Sequence, residues 1–224
     1  MVYFQKEASY LKEVLKKAAK WIFIILCLIL LADWFSSCLV SCRPKKPVIY
    51  LYPNERTQVS VRLDFDGQLT CTYPRYNDGW NVEAEPDGQL TDENGQTYNY
   101  LYWEGISNQA YDLSSGFCIP GKKTAAFLEQ ALADLGLNRR EANEFIVYWL
   151  PEMEANPYNL ISFQQEAYTE SARLDITPKP DCIIRVFMVW KPLERPIDVL
   201  PQALSAPARE GFTAVEWGGC RIDG

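Results

Sequence analysis

The chain has 224 residues, room for one sizeable domain and an appendage but not for two large domains. An apolar fraction of 48% and a charged fraction of 23% are ordinary for a globular protein and exclude wholesale disorder. A net charge of -7 argues against a nucleic-acid partner, and the absence of histidine removes Ser-His-Asp and Cys-His catalysis, His-ligated zinc and imidazole pH sensing.

The charge is unevenly placed. Residues 1–46 carry eight Lys and Arg against three acidic residues, whereas the remainder carries 14 against 26. Leu11, Val14, Leu15, Ala18 and Ile22 recur at helical spacing beside a row of Lys12, Lys16 and Lys20. That pattern predicts a basic juxtamembrane helix over residues 1–20, its lysines meeting lipid headgroups. Trp21–Ala32 is apolar without a break, and with Asp33 and the tail to Val40 included the stretch comes close to the ~20 residues that cross a bilayer. Residues 21–41 then read in two ways. One is an uncleaved signal anchor with the lysines held in the cytoplasm. The other is a lipoprotein signal, since Leu39-Val40-Ser41-Cys42 fits the lipobox pattern in which the Cys42 thiol takes a diacylglyceryl group. Either one places a domain over residues 46–224 outside the cytoplasmic membrane.

The domain opens on an apolar strand, Val48–Tyr52. Gln58–Phe65 alternates, with Val59, Val61, Leu63 and Phe65 on one face, as a half-buried strand does. Asp66-Gly67 predicts a hairpin turn returning through Leu69–Tyr73. Asp78-Gly79, Asp87-Gly88 and Asn94-Gly95 punctuate Trp80–Glu85 and Thr97–Trp103 into an antiparallel meander. The period then changes. Thr124–Leu135 predicts a helix closed by Gly136, and Asn138 with Glu141 forms a capping box for a second, shorter one. Phe145–Leu150 reads as a buried strand ending at Pro151, followed by strands at Leu160–Phe163, Ala172–Ile176 and Ile183–Trp190. Phe212–Trp217 closes the domain before a Gly218-Gly219 turn. The fold class expected is α+β: a mainly antiparallel, sandwich-like sheet with two helices on one side, preceded by one N-terminal membrane helix.

KPVIYLYP (46–53), YPRYNDGWNVEAEPDG (73–88), YLYWEG (100–105), FIVYWLPEMEANPYNLISF (145–163), RVFMV (185–189) and GFTAVEWGG (211–219) resemble a family of bacterial envelope proteins and lipoproteins without an established activity. The resemblance runs in order over essentially all of residues 46–219. It implies a signal or lipobox Cys just before KPVIYLYP, which is where Cys42 stands. It brings no catalytic residue with it.

Tyrosines mark the candidate binding surface. On a strand over Thr97–Trp103, Tyr98, Tyr100 and Tyr102 share a face, and a row of phenols can stack sugar rings while hydrogen-bonding at the tip. Carboxylates are the candidate acid/base groups: Glu104 and Glu216 beside tryptophans, and Glu152 after Pro151. Two of them about 5–10 Å apart would suit glycoside hydrolysis. Cys71, Cys118, Cys182 and Cys220 make an even set of domain cysteines, and at least one disulfide among them is expected in an exported protein. No metal-ligand spacing and no cofactor motif occurs. The function expected is a membrane-tethered envelope domain that binds a glycan or protein partner without catalysis. The alternatives are a carboxylate-based hydrolase of envelope polysaccharide and a subunit of an envelope membrane complex.

Overall fold

The computed structural model describes residues 16–17, 20–24, 39–41 and 43–222. Residues 20–24 are helical, but Cys42 and most of the expected membrane segment lie outside the described residues. No helix among the described residues is long and apolar enough to cross a membrane.

From residue 43 onward, alternation along the strands builds three layers. The central layer is a seven-stranded sheet in the order β10-β11-β13-β14-β2-β8-β4. Its strands are β2 (Lys45–Tyr52), β4 (Gln68–Tyr73), β8 (Leu101–Ile106), β10 (Phe117–Pro120), β11 (Tyr158–Phe163), β13 (Cys182–Leu193) and β14 (Thr213–Arg221). Only β13 and β14 run parallel; every other pairing is antiparallel. A five-stranded antiparallel sheet covers one face, in the order β12-β3-β5-β6-β7. It comprises β3 (Thr57–Phe65), β5 (Trp80–Ala84), β6 (Leu90–Thr91), β7 (Thr97–Tyr98) and β12 (Ala172–Thr177). Two short strands, β1 (Leu39–Ser41) and β9 (Ala110–Asp112), form a separate ribbon. Helices α1 (Thr124–Asp134) and α2 (Arg139–Met153) cover the other face of the large sheet, and α3 (Gln165–Ser171) is a short connector.

The period-two rule decides which side chains enter which layer. On β2, Ile49 and Leu51 pack between the sheets, and Val48 and Tyr50 pack under the helices. On β13, Phe187 and Val189 face the first core, and Val186, Met188 and Trp190 the second. Both faces of these strands are buried. Each core therefore removes large apolar surface from water, at ~25 cal/mol per Å².

The expected α+β class with a mainly antiparallel sheet is what the protein adopts. Several elements differ. Phe145–Leu150 is not a strand but the middle of α2, which is 15 residues long against 11 for α1, the reverse of the expected order. The capping box at Asn138 and Glu141 starts the helix. It then continues because Phe145, Ile146, Trp149 and Met153 fall on the sheet-facing side, while Val147 stays 66% exposed. Asp66-Gly67 does not close a hairpin either. β3 pairs with β5 and β12, and β4 pairs with β8, so the turn carries the chain from one sheet to the other. Gly218-Gly219 is not a turn but part of β14. A Cβ on Gly219 would stand 2.9 Å from the Trp149 ring, so the glycine lets α2 approach the sheet.

Candidate functional site

The strand expected over Thr97–Trp103 breaks at Asn99-Tyr100. Tyr98 belongs to β7 in the small sheet, Tyr102 to β8 in the large one, and Tyr100 sits at the crossing. The three tyrosines therefore do not share one strand face. Two of them nevertheless meet, on the helix side of the large sheet where β2, β8 and β4 run past α2. There a groove of about 400 Å³ is lined by Lys46, Tyr73, Tyr100, Tyr102, Glu104 and Tyr148. Register explains the sheet side. Tyr73 on β4 faces Tyr102 on β8, and Glu104 follows Tyr102 by two residues and so points the same way. The intervening Leu101, Trp103 and Gly105 are buried. From α2, Tyr148 supplies the opposing wall.

Three of the four groove rings lean on an aromatic outside the groove, and the fourth, Tyr102, is held by its register on β8 and by the neighbouring Glu104. Tyr73 makes an edge contact with Tyr98 at 5.4 Å, Tyr100 with Tyr50 at 5.3 Å, and Tyr148 with Trp149 at 4.8 Å. Among the described residues no ring contact joins Tyr73, Tyr100, Tyr102 and Tyr148 to one another. The four rings thus line the groove without stacking on one another, while Tyr100, Tyr102 and Tyr148 also pack against the helix-side core and Lys46 stands over Tyr148. Tyr98 supports this wall from behind: its hydroxyl donates to Asp92 at 2.9 Å and its ring holds Tyr73.

The phenols of Tyr100, Tyr102 and Tyr148 are held protonated to higher pH than an ordinary tyrosine. Burial first, then the neighbouring Glu104, pushes the Tyr102 phenol well above its ordinary value. Burial, then Glu144, raises Tyr100, and burial, then Glu104 and Glu152, raises Tyr148. The groove accordingly offers O–H donors and apolar ring faces together. Lys46 and Glu104 add one charge of each sign.

The three candidate carboxylates fall in three environments. Glu104 alone lines the groove. Glu152, near the end of α2, pairs with Arg221 at 3.6 Å. Glu216 is 1% exposed between the two sheets, where Trp103 Nε1 donates to it at 3.0 Å and Arg185 Nε at 2.7 Å. It holds the interior together and is closed to a substrate. Sequence reasoning missed Lys46, Tyr73 and Tyr148. Tyr148 was hidden inside the supposed strand, although its spacing of four from Glu144 on a capped helix was a usable signal.

The cysteines also differ from expectation. Cys71 is exposed, Cys118 partly buried and Cys182 buried, and all three are free thiols. Cys220 is disulfide-bonded, with none of those three, so the pairing expected within the four domain cysteines does not form.

Fold and groove together define a three-layer α+β domain with an aromatic cleft at the sheet–helix junction. No protein-family model matches the chain, and no solved structure matches it. It is similar to an uncharacterized protein in the bglA 3′ region of Butyrivibrio fibrisolvens, with 56% identity over 63 residues. That match spans 27% of this chain and 65% of the relative, under two thirds of its length.

Proposed function

We propose that the protein is a membrane-tethered envelope domain whose tyrosine-lined groove binds a glycan. The observation that carries this reading is the set of four tyrosine rings around one cleft of about 400 Å³, three of them braced by aromatics outside it and none stacked on another. Sugar rings present C–H faces that stack on aromatic rings, and hydroxyls that pair with phenols and a carboxylate. An envelope location is supported by the apolar run Trp21–Ala32, by the resemblance of KPVIYLYP and its companion strings to envelope lipoproteins, and by the Cys220 disulfide, a bond that persists in oxidising compartments. Hydrolysis by paired carboxylates has less support, since among the described residues Glu104 is the one carboxylate that lines the groove.

Co-sedimentation of the full chain with purified envelope polymers tests the reading. Wild type is expected to pellet with at least one polysaccharide, and Tyr102→Ala and Tyr148→Ala to remain in the supernatant. Equal sedimentation of wild type and both variants would refute it.

A further inference from the structure

Lys46 gives the groove a preference that its tyrosines alone would not have. Its backbone adopts φ 52°, in the left-handed region that residues with a side chain rarely occupy. One bond that holds it there comes from the groove itself: the Lys46 N–H donates to Glu104 Oε1 at 3.3 Å. The side chain then places its ammonium 5.0 Å from the centre of the Tyr148 ring and 5.6 Å from that of Trp217. Among the described residues no carboxylate lies within ion-pair distance of the Lys46 ammonium, and its ring contacts are with Tyr148 and Trp217. Its three N–H donors thus stand in the groove without an ion-pair partner. Glu104 is differently placed, since it already accepts the Lys46 backbone N–H and lies against the Tyr102 phenol. Its remaining lone pairs suit a hydroxyl donor rather than the ammonium.

From these positions we infer that the groove selects a saccharide bearing an anionic group, a carboxylate or a phosphate, with Lys46 as the residue that recognises the charge. The inference rests on the saccharide reading above. In the bound state a ring stacks on the tyrosines, a hydroxyl donates to Glu104, and the anion accepts from the Lys46 ammonium. A neutral sugar of the same shape leaves that ammonium without a counter-ion. A charge-assisted hydrogen bond in a partly enclosed site makes this difference about tenfold in Kd.

Calorimetric titration of the full chain in detergent, at about 50 mM salt, tests it with four probes: trigalacturonate, its methyl ester, glucose 6-phosphate and glucose. Wild type is expected to bind one charged probe about tenfold more tightly than its neutral counterpart. That ratio should fall close to one in Lys46→Met and persist in Lys46→Arg, which keeps the charge and so separates loss of recognition from loss of fold. A preference for trigalacturonate assigns a carboxylate, and a preference for glucose 6-phosphate assigns a phosphate. Equal affinity for charged and neutral probes, or a ratio that survives Lys46→Met, overturns the inference and leaves the saccharide reading standing. If no probe of either kind binds, both fall together.

Discussion

Replacing Glu216 by glutamine should damage the domain more than any other isosteric change in it. Arg185 and Glu216 are register partners on the parallel pair β13 and β14, both directed into the layer between the sheets. Their side chains are 8% and 1% exposed, so solvent screens the pair very little. Arg185 Nη2 lies 2.5 Å from Glu216 Oε2, and the guanidinium stacks on Tyr168 at 4.7 Å. Tyr168 in turn stacks on Phe187 at 4.1 Å. Burial works against the Arg185 charge, yet Glu216 holds its pKa above the ordinary value. Glu216→Gln keeps a hydrogen-bond acceptor for Trp103 but strands a buried cation. Removal of one partner from such a pair costs about 3–5 kcal/mol. For a domain of this size that corresponds to a fall in Tm of ~6–20 °C. Thermal unfolding followed by near-ultraviolet circular dichroism measures it. The double variant Arg185→Met/Glu216→Leu should recover most of the loss, because it removes both charges. A Tm for Glu216→Gln within about 2 °C of wild type would refute the reasoning, since that is less than the ~2–4 °C expected for each kcal/mol.

Three further outcomes follow from the same geometry. Tyr100→Ala should lower stability by only about 0.5–1.5 kcal/mol, the value of its edge contact with Tyr50, and weaken glycan binding by ~1–3 kcal/mol; a stability loss of ~3–5 kcal/mol would mean that the ring is core packing. In native, unreduced protein a thiol reagent should modify Cys71 rapidly, Cys118 slowly and Cys182 only after denaturation, with Cys220 unreactive until reduced; mass mapping of the labelled peptides checks the order. Backbone N–H groups of Gln96 and Asn94 and the Tyr98 hydroxyl, all donating to Asp92, hold its carboxyl below the ordinary value. The stabilisation of that turn is therefore complete above the usual Asp pKa of ~3.9 and is lost as pH falls through the lower folded value. Amide shifts of Gln96 should titrate in that acidic window, and Asp92→Asn should abolish the titration.

Strands were legible wherever one face is polar or where the run is uniformly apolar and bounded by turns, as in β3 and β13. What the sequence concealed were decisions made by tertiary contacts. Phe145–Leu150 is aromatic and β-branched enough to read as a strand, and only the capping box upstream opposed that reading. Packing against β14 settled it for the helix, with Gly219 clearing space for Trp149. At Asp66-Gly67 the turn itself was correctly placed, but local chemistry does not say which sheet the next strand joins. The groove was half legible. Tyr100 and Tyr102 were picked out as a row on one strand and Glu104 as a carboxylate beside Trp103, but the strand breaks before Leu101, so alternation places only Tyr102 and Glu104 on one strand face. Tyr73, Tyr148 and Lys46 come from β4, α2 and β2, and only the fold brings those elements together.

Glycan binding by the tyrosine groove is tested most directly by labelling the tyrosine rings with carbon-13 and following their resonances as envelope polysaccharide fragments are added. Shifts are expected at Tyr73, Tyr100, Tyr102 and Tyr148, with Tyr111 and Tyr168, buried between the sheets, left unmoved. Saturable binding that shifts none of the four groove tyrosines would contradict the assignment.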